Sequence, residues 1–223
     1  MDLARQASSI GALADDTRRA LYEYVATQRD AVGREQAARA LGLATHTASF
    51  HLDRLVGEGL LETEFRRLTG RTGPGAGRPS KLYRRADREF AVALPGRRYD
   101  LAGEILSAAV DRAAAGEPLT EALDACAHEE GQALAREQGG SATLDGVAAA
   151  LTTRSYEPFV DGDSLALANC PFDTLAQRHT ELICGVNRSY VQGVLDGLGC
   201  THLTARLAPT PDRCCVRVSP RRG

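Results

Sequence analysis

Apolar residues in the first sixty positions recur at helical spacing in three short stretches. Residues 17–27 place apolar side chains on one face after an acidic start, as amphipathic helices do. Residues 34–41 predict a second short helix, which ends at Gly42, a usual residue at a helix C-terminus. A third helix is predicted over 45–57. Two short helices joined by a turn that contains glycine indicate a helix-turn-helix.

The third predicted helix has one apolar face and one polar face. Ala48, Leu52 and Leu55 follow the spacing of a buried helix face. Hydroxyl, imidazole and guanidinium groups on the other face can hydrogen-bond base edges or phosphates in the major groove of DNA. Phe50 is expected either to pack beneath the segment that follows or to contact a thymine methyl group. The candidate DNA-binding residues of this helix are Thr45, His46, Thr47, Ser49, His51 and Arg54.

Two predicted strands follow, over 62–68 and 80–85, with a loop rich in glycine and proline between them. The window 66–88 carries eight basic residues and one acidic residue. Two strands around a basic loop form a wing, and we expect Arg78 and Lys81 to neutralise phosphates or to enter the minor groove.

The sequence THTASFHLDRLVGEGLL followed by GRPSKLYR resembles the winged helix-turn-helix regulators of the ArsR/DeoR type. The resemblance covers roughly residues 10–88, and its most specific part is the His-Leu pair at 51–52 followed by Leu55 and Gly59-Leu60. It implies a transcription regulator, a repressor, that binds double-stranded DNA. A palindromic operator needs two recognition helices about one DNA turn apart, so a homodimer is expected.

The middle of the chain predicts two further helices, one starting near Tyr99 and one over 119–138. Their apolar stripes are expected to bury either within the chain or against a second subunit. Cys126 falls on the second stripe and is interpreted as a small buried residue. The remainder predicts the order helix, two strands, helix, two strands, which implies a small antiparallel sheet with helices on one face. The predicted fold class is α+β, with an N-terminal winged helix-turn-helix domain (1–88), middle helices (89–140) and a C-terminal small antiparallel α+β sensor domain (141–223).

Charge is distributed unevenly along the chain. Residues 1–88 hold 15 basic and 11 acidic side chains, whereas the rest holds 12 basic and 18 acidic ones. This difference predicts a polyanionic partner for the first part only. The absence of tryptophan and the aromatic content of 5% argue against a base-stacking platform. No apolar run of about 18 residues and no uncharged N-terminal stretch is present, so we expect a cytoplasmic protein without a membrane partner.

The cysteines are concentrated near the C-terminus. None precedes Cys126, and five fall within 46 residues: Cys170, Cys184, Cys200, Cys214 and Cys215. In a reducing compartment such clustering favours metal or redox chemistry over disulfides. The spacing Cys170-x13-Cys184-x29-Cys214 lacks the close pairs of zinc fingers. Thiolates from a loop, a helix and a strand instead suit a cluster that needs three or four soft ligands.

The sequence NCPFDTLAQRHTELICGVN followed by PDRCCV, behind a winged-helix head, resembles the SufR-type iron–sulfur repressors over about fifty residues. The resemblance implies a 4Fe-4S cluster. We expect His179 as the fourth ligand because its predicted helix also carries Cys184. Alternation along a strand predicts that only one of two neighbouring cysteines reaches the cluster. The candidate ligands are Cys170, Cys184, Cys214 and His179, with Cys200 or Cys215 as alternates.

Three functions are weighed on this basis. The favoured one is a redox-sensing transcription regulator, not an enzyme, whose operator affinity is controlled by the iron–sulfur cluster. The alternative is a winged-helix regulator that responds to a small organic effector in an apolar pocket or to zinc, with structural cysteines. A thiol enzyme is disfavoured, because His179 and Cys184 on one helix would point about 140° apart.

Overall fold

The computed structural model describes residues 3–67, 79–211 and 213–221. The fold is mixed α+β, with 55% helix and 15% strand. The chain divides between Val92 and Ala93 into two compact units, called here the N-terminal unit and the C-terminal unit. Each unit has its own small antiparallel sheet and its own apolar core. The two helices predicted for the middle of the chain are part of the C-terminal unit.

The N-terminal unit contains the three predicted helices and both predicted strands, each within two residues of the expected bounds. A short N-terminal helix and a two-residue strand were not predicted. The described strands form an antiparallel sheet in the order β1-β3-β2. The elements are α1 (Leu3–Gly11), a 3₁₀ turn (Ala12–Ala14), α2 (Asp16–Thr27), β1 (Val32–Gly33), α3 (Arg34–Ala40), α4 (Thr45–Gly57), β2 (Leu61–Arg66) and β3 (Ser80–Arg85).

Local chemistry sets the ends of these helices. The Asp15 carboxylate accepts a hydrogen bond of 2.9 Å from the Arg18 backbone N–H and so caps α2. Gly42 adopts a positive φ of 66° after α3, a conformation that glycine tolerates best. Leu21 of α2 and Leu52 of α4 are fully buried, so these two helices face each other across the core.

The C-terminal unit holds the remaining elements, and its described strands form an antiparallel sheet in the order β4-β5-β7-β6. Both predicted hairpins are present, and Leu165 of one pairs with Val218 of the other. None of the helices in the described part of the chain is both long and apolar enough to cross a membrane. The elements are α5 (Tyr99–Ala114), α6 (Leu119–Gln138), α7 (Leu144–Thr152), β4 (Pro158–Asp161), β5 (Ser164–Leu167), α8 (Asp173–Arg178), α9 (Thr180–Gly197), β6 (Leu203–Leu207) and β7 (Val216–Pro220).

Helices α6 and α9 approach each other closely because glycines lie at their contact. A Cβ atom on Gly193 would overlap the His128 carbonyl oxygen, and one on Gly131 would overlap the Tyr190 carbonyl oxygen. Ten of the eighteen residues of α9 are buried, so this helix forms the centre of the unit. The packing of α9 therefore fixes the position of Cys184, which it carries.

Candidate functional site

Four cysteines of the C-terminal unit come together in two pairs, called here the cysteine cluster: Cys170, Cys184, Cys214 and Cys215. The sulfur atoms of Cys184 and Cys215 lie at disulfide distance, with their Cα atoms 6.5 Å apart. The Cys170 thiol is hydrogen-bonded to the Cys214 sulfur. Because Cys214 and Cys215 are consecutive residues, a single peptide unit joins the two pairs.

Sheet topology explains why distant cysteines meet. Strands β5 and β7 are antiparallel neighbours, so the end of β5 lies beside the beginning of β7. Cys170 follows β5, and Cys214 precedes β7. The Cys214 backbone N–H donates a 3.1 Å hydrogen bond to the Leu167 carbonyl, which extends the pairing toward the two sulfur atoms. Cys184 then joins from the first turns of α9.

The hydrogen bond between Cys170 and Cys214 separates the acidities of the two thiols. The bond from Cys170 lowers the pKa of Cys214; the Val216 backbone N–H and the Asn187 amide lower it further, against the opposing effect of burial. The same bond, together with burial, raises the pKa of Cys170. Cys214 is therefore the more acidic thiol of this pair, and Cys170 is the less acidic one.

Asn187 is a member of this site that sequence reasoning missed. It lies one turn after Cys184 on α9 and is 1% exposed. Its Nδ2 atom donates a hydrogen bond of 3.2 Å to the Cys214 Sγ atom, and its Oδ1 atom accepts one of 2.5 Å from the Tyr156 hydroxyl. The sequence feature that could have indicated Asn187 is its position three residues after Cys184, on the same face of a predicted helix.

The other cysteines lie apart from the cluster. Cys126 of α6 and Cys200, which follows α9, are buried, and burial raises the pKa of each. The pKa of each is thus shifted in the direction opposite to that of Cys214.

Two expectations about the cluster ligands depended on secondary structure that the protein does not have. One was that His179 shares a helix with Cys184, and the other was that only one of Cys214 and Cys215 can reach the cluster. The helical stretch predicted to carry both His179 and Cys184 breaks at His179, which is exposed between α8 and α9. Cys214 and Cys215 precede β7 instead of lying in it, so strand alternation does not separate them. Cys215 is thus the fourth residue of the cluster, and His179 and Cys200 are outside it.

On the N-terminal unit, the predicted DNA-binding residues of α4 form a partly exposed surface. Thr45, His46 and Arg54 are exposed, whereas Thr47, Ser49 and His51 are half-buried. Phe50 is 66% exposed, so it does not pack beneath other described residues. Among the described residues the buried His51 Nδ1 atom has no hydrogen-bond partner.

Two of the predicted basic contacts are held by acidic neighbours. Lys81 of β3 lies 2.6 Å from the Asp53 carboxylate, which also accepts a 2.7 Å hydrogen bond from the Tyr83 hydroxyl. Arg54 forms an ion pair of 2.6 Å with Glu58 one turn later. Arg78 lies outside the described residues.

A groove of about 500 Å³ lies between α6, α9 and β6 in the C-terminal unit. Most of the residues that line it have polar side chains, whereas an apolar pocket was expected for an organic effector. The side chains are already paired: the Ser189 hydroxyl with the Asp124 carboxylate at 2.5 Å, and the Gln192 side-chain oxygen with the Ala205 backbone N–H at 2.9 Å.

No protein-family model, curated protein or solved structure matches this chain. The fit of the cysteine cluster to an iron–sulfur centre therefore rests on its own chemistry.

Four cysteine sulfurs are a common donor set for such centres, and N–H groups directed at the sulfurs, as from Asn187 and Val216, stabilise bound thiolates. Only thiolates bind metal, so the Cys184–Cys215 pair must first be reduced. In the described ranges no three His, Cys, Asp or Glu side chains are arranged to hold a single metal ion. The four sulfurs thus lie as two pairs, and an iron–sulfur cluster held by them stays a prediction.

Proposed function

We propose that the protein is a homodimeric DNA-binding transcription regulator whose operator affinity depends on an iron–sulfur cluster. The cluster is held by Cys170, Cys184, Cys214 and Cys215. The observation that carries this proposal is the meeting of four cysteines from three separate segments of one unit. The N-terminal unit has no cysteine, since the first in the chain is Cys126. Sensing and DNA binding therefore belong to different units.

The DNA-binding half of the proposal rests on α3, the turn at Gly42, α4 and the two strands that follow, an order typical of a winged helix-turn-helix. Thr45 and His46 on α4 offer hydrogen-bonding groups for base edges, and the exposed Phe50 ring suits a thymine methyl group. The ion pair of Lys81 with Asp53 lies at the surface, where such pairs contribute about 0–1 kcal/mol, so Lys81 can exchange the carboxylate for a phosphate at small cost. The Glu58 partner of Arg54 is 12% exposed, so Arg54 exchanges its carboxylate at a larger cost.

The sensing half of the proposal follows from the positions of the four cysteines in three separate segments of the chain. When bound, an iron–sulfur cluster supplies a redox-active centre that is sensitive to its ligands and to solvent. The thiolates that hold it tie the loop after β5, the segment before β7 and helix α9 to one another. Asn187 orients the Cys214 sulfur throughout. Without the cluster Cys170 pairs with Cys214, and Cys184 joins Cys215 in a disulfide when an oxidant such as a peroxide takes up the two electrons. This difference biases operator affinity by about 5- to 150-fold.

Iron and sulfide analysis after anaerobic reconstitution tests the cofactor. Wild-type protein should retain both elements and absorb visible light, and Cys184→Ser and Cys215→Ser should lose most of the bound iron. Cys200→Ala and His179→Ala serve as controls that should retain it. A colourless, iron-free wild-type preparation would end the cluster proposal, and iron loss in His179→Ala with retention in Cys215→Ser would overturn the ligand set.

Selection from a random duplex library tests the DNA-binding half. Wild-type protein should enrich a palindromic sequence, and His46→Ala should bind the enriched duplex at least about tenfold more weakly, as loss of a base contact does. His202→Ala, an exposed histidine in the C-terminal unit, is the matched control and should bind normally. Failure to enrich any sequence, or equal loss in both variants, would contradict the assignment.

The Cys184–Cys215 pair also favours a second candidate function, a metal-free thiol–disulfide sensor. Oxidation of these two thiols by a peroxide forms one S–S bond, and the two electrons and two protons reduce the peroxide to water or alcohol. In that case iron-free protein would change its operator affinity on oxidation, and Cys184→Ser would abolish this change while Cys170→Ser would not.

A further inference from the structure

The first residues of the C-terminal unit are hydrogen-bonded to the loop that carries Cys170. The chain enters this unit at Ala93 and reaches α5 at Tyr99. The Arg98 backbone N–H donates a 3.0 Å hydrogen bond to the Pro171 carbonyl. The Tyr99 hydroxyl lies 2.9 Å from the Thr174 hydroxyl. The entering segment and the cysteine loop thus run side by side.

Arg97 bridges the residues on either side of Cys170. Its Nη1 atom donates a 2.5 Å hydrogen bond to the Asn169 side-chain oxygen, immediately before the cysteine. Its Nη2 atom lies 3.4 Å from the Asp173 carboxylate, three residues after it. The Arg97 side chain is 18% exposed and Asn169 is 7% exposed, so their contact is shielded from water, whereas the Asp173 side chain is 41% exposed.

Asn169 completes the connection from the cysteine side. It is 7% exposed, and its Nδ2 atom donates to the Gly96 carbonyl at 2.9 Å and to the Ser155 carbonyl at 2.6 Å. A Cβ atom on Gly96 would lie 2.6 Å from that of Ser155, so the entering backbone presses directly against this site. Displacing Asn169 alone would leave buried carbonyl groups unpaired, which is costly. Residues 96–97 and residue 169 are therefore expected to move together.

We propose that Arg97 and Asn169 are positioning residues that hold Cys170 and transmit a change in its bonding to the segment leading to the N-terminal unit. The inference rests on the proposed function, because it assigns the route by which the cysteine cluster affects DNA binding. When Cys170 exchanges the Cys214 sulfur for another partner, the loop 169–173 shifts. Arg97, held at both ends of that loop, shifts with it.

Amide hydrogen exchange of metal-free protein tests this route without iron or DNA. Cys170→Ala removes the side-chain bond between Cys170 and Cys214 without any reagent. In this variant exchange at residues 96–99 should exceed that of wild-type protein at least about tenfold, as expected when a protecting network opens locally. In Arg97→Gln exchange should be high already, and the addition of Cys170→Ala should not raise it further. Arg112→Gln, which removes a 2.7 Å ion pair with Glu129 elsewhere in the unit, should respond as wild type.

A second measurement tests the same variants for regulation of operator affinity. Operator affinity is compared between reconstituted and iron-free protein, where wild type should differ by about 5- to 150-fold. Arg97→Gln should bind as much iron but lose this ratio, and Arg97→Lys, which keeps one donor for Asn169, should retain part of it. Wild-type protein without iron or without a ratio would refute the proposed function, and the exchange experiment would still decide the route. Unaltered exchange at 96–99 in Cys170→Ala, or an undiminished ratio in Arg97→Gln, would overturn the inference.

Discussion

The two units differ in where they keep their polar groups. In the N-terminal unit the core is built from apolar side chains, and the candidate contacts of α4 lie at the surface. Of the five buried polar residues in the described ranges, only Ser9 belongs to this unit. The other four, Ser164, Asn169, Asn187 and Ser189, belong to the C-terminal unit. Burying a polar group is costly unless it is hydrogen-bonded. The buried polar groups near the cysteine cluster therefore lie inside the C-terminal unit, whereas the candidate DNA contacts of the N-terminal unit lie at its surface.

The units also differ in how their helices meet. Helices α2 and α4 of the N-terminal unit contact each other, and Leu21 of α2 and Leu52 of α4 are buried in the same apolar core. Helices α6 and α9 of the C-terminal unit approach through Gly131 and Gly193, which brings the two backbones together. Side-chain packing can adjust to small changes, but a backbone contact cannot. We therefore expect the C-terminal unit to be the less tolerant of added volume.

The largest expected effect is that of Gly193→Ala. The added methyl group would overlap the His128 carbonyl oxygen, so the free energy of unfolding of the C-terminal unit should fall by about 3 kcal/mol. Peptide-resolved hydrogen exchange in urea measures each unit separately and should find the N-terminal unit unchanged. Gly185→Ala on the same helix is the matched control: no atom lies within 4 Å of its Cβ position, and a gain of up to about 1 kcal/mol is expected. Equal behaviour of the two variants would refute the backbone-contact interpretation.

A smaller effect is expected from Asn187→Leu. This change leaves the Tyr156 hydroxyl and the Cys214 sulfur without their partner, at a cost of about 1–3 kcal/mol in the C-terminal unit. In the N-terminal unit Ser9→Ala removes a hydroxyl that bonds the Glu58 carbonyl at 2.8 Å, and about 1 kcal/mol is expected. Chemical denaturation with exchange readout compares them. If Ser9→Ala lowers the free energy of unfolding more than Asn187→Leu does, buried polar contacts do not distinguish the two units.

The smallest effect concerns pH and the N-terminal unit alone. The Arg18 backbone N–H lowers the pKa of Asp15 below 3.8, so the charged cap stabilises the unit above about pH 4 and this contribution is lost as pH falls through the lowered pKa. Asp15→Asn keeps a capping acceptor but cannot titrate. The stability difference between wild type and Asp15→Asn should therefore shrink on acidification, as followed by thermal unfolding. Thr143→Ala, which uncaps α7 in the C-terminal unit, should cost about 1 kcal/mol at every pH. A difference for Asp15→Asn that persists at low pH would contradict the role of its charge.

Sequence patterns located most elements but not the contacts between them. Helical periodicity and terminal residues such as Asp15 and Gly42 are local, so helix bounds were predicted closely. Strand β1 was missed because two residues carry no periodicity. The metal ligands stay a prediction. The structure brings the candidates Cys170, Cys184 and Cys214 into the cysteine cluster together with Cys215, which the sequence offered only as an alternate to His179.

By itself the sequence determined the order of most helices and strands, the absence of cysteine from the N-terminal unit and the charge difference along the chain. The tertiary structure decided which cysteines meet and which residues surround them. Strands β5 and β7 are neighbours in the sheet although α8, α9 and β6 separate them along the chain, and this pairing brings Cys170 beside Cys214. The bridge from Arg97 to Asn169 spans 72 residues in the same way. Such contacts depend on the packing of whole elements, and no spacing within a single segment encodes them.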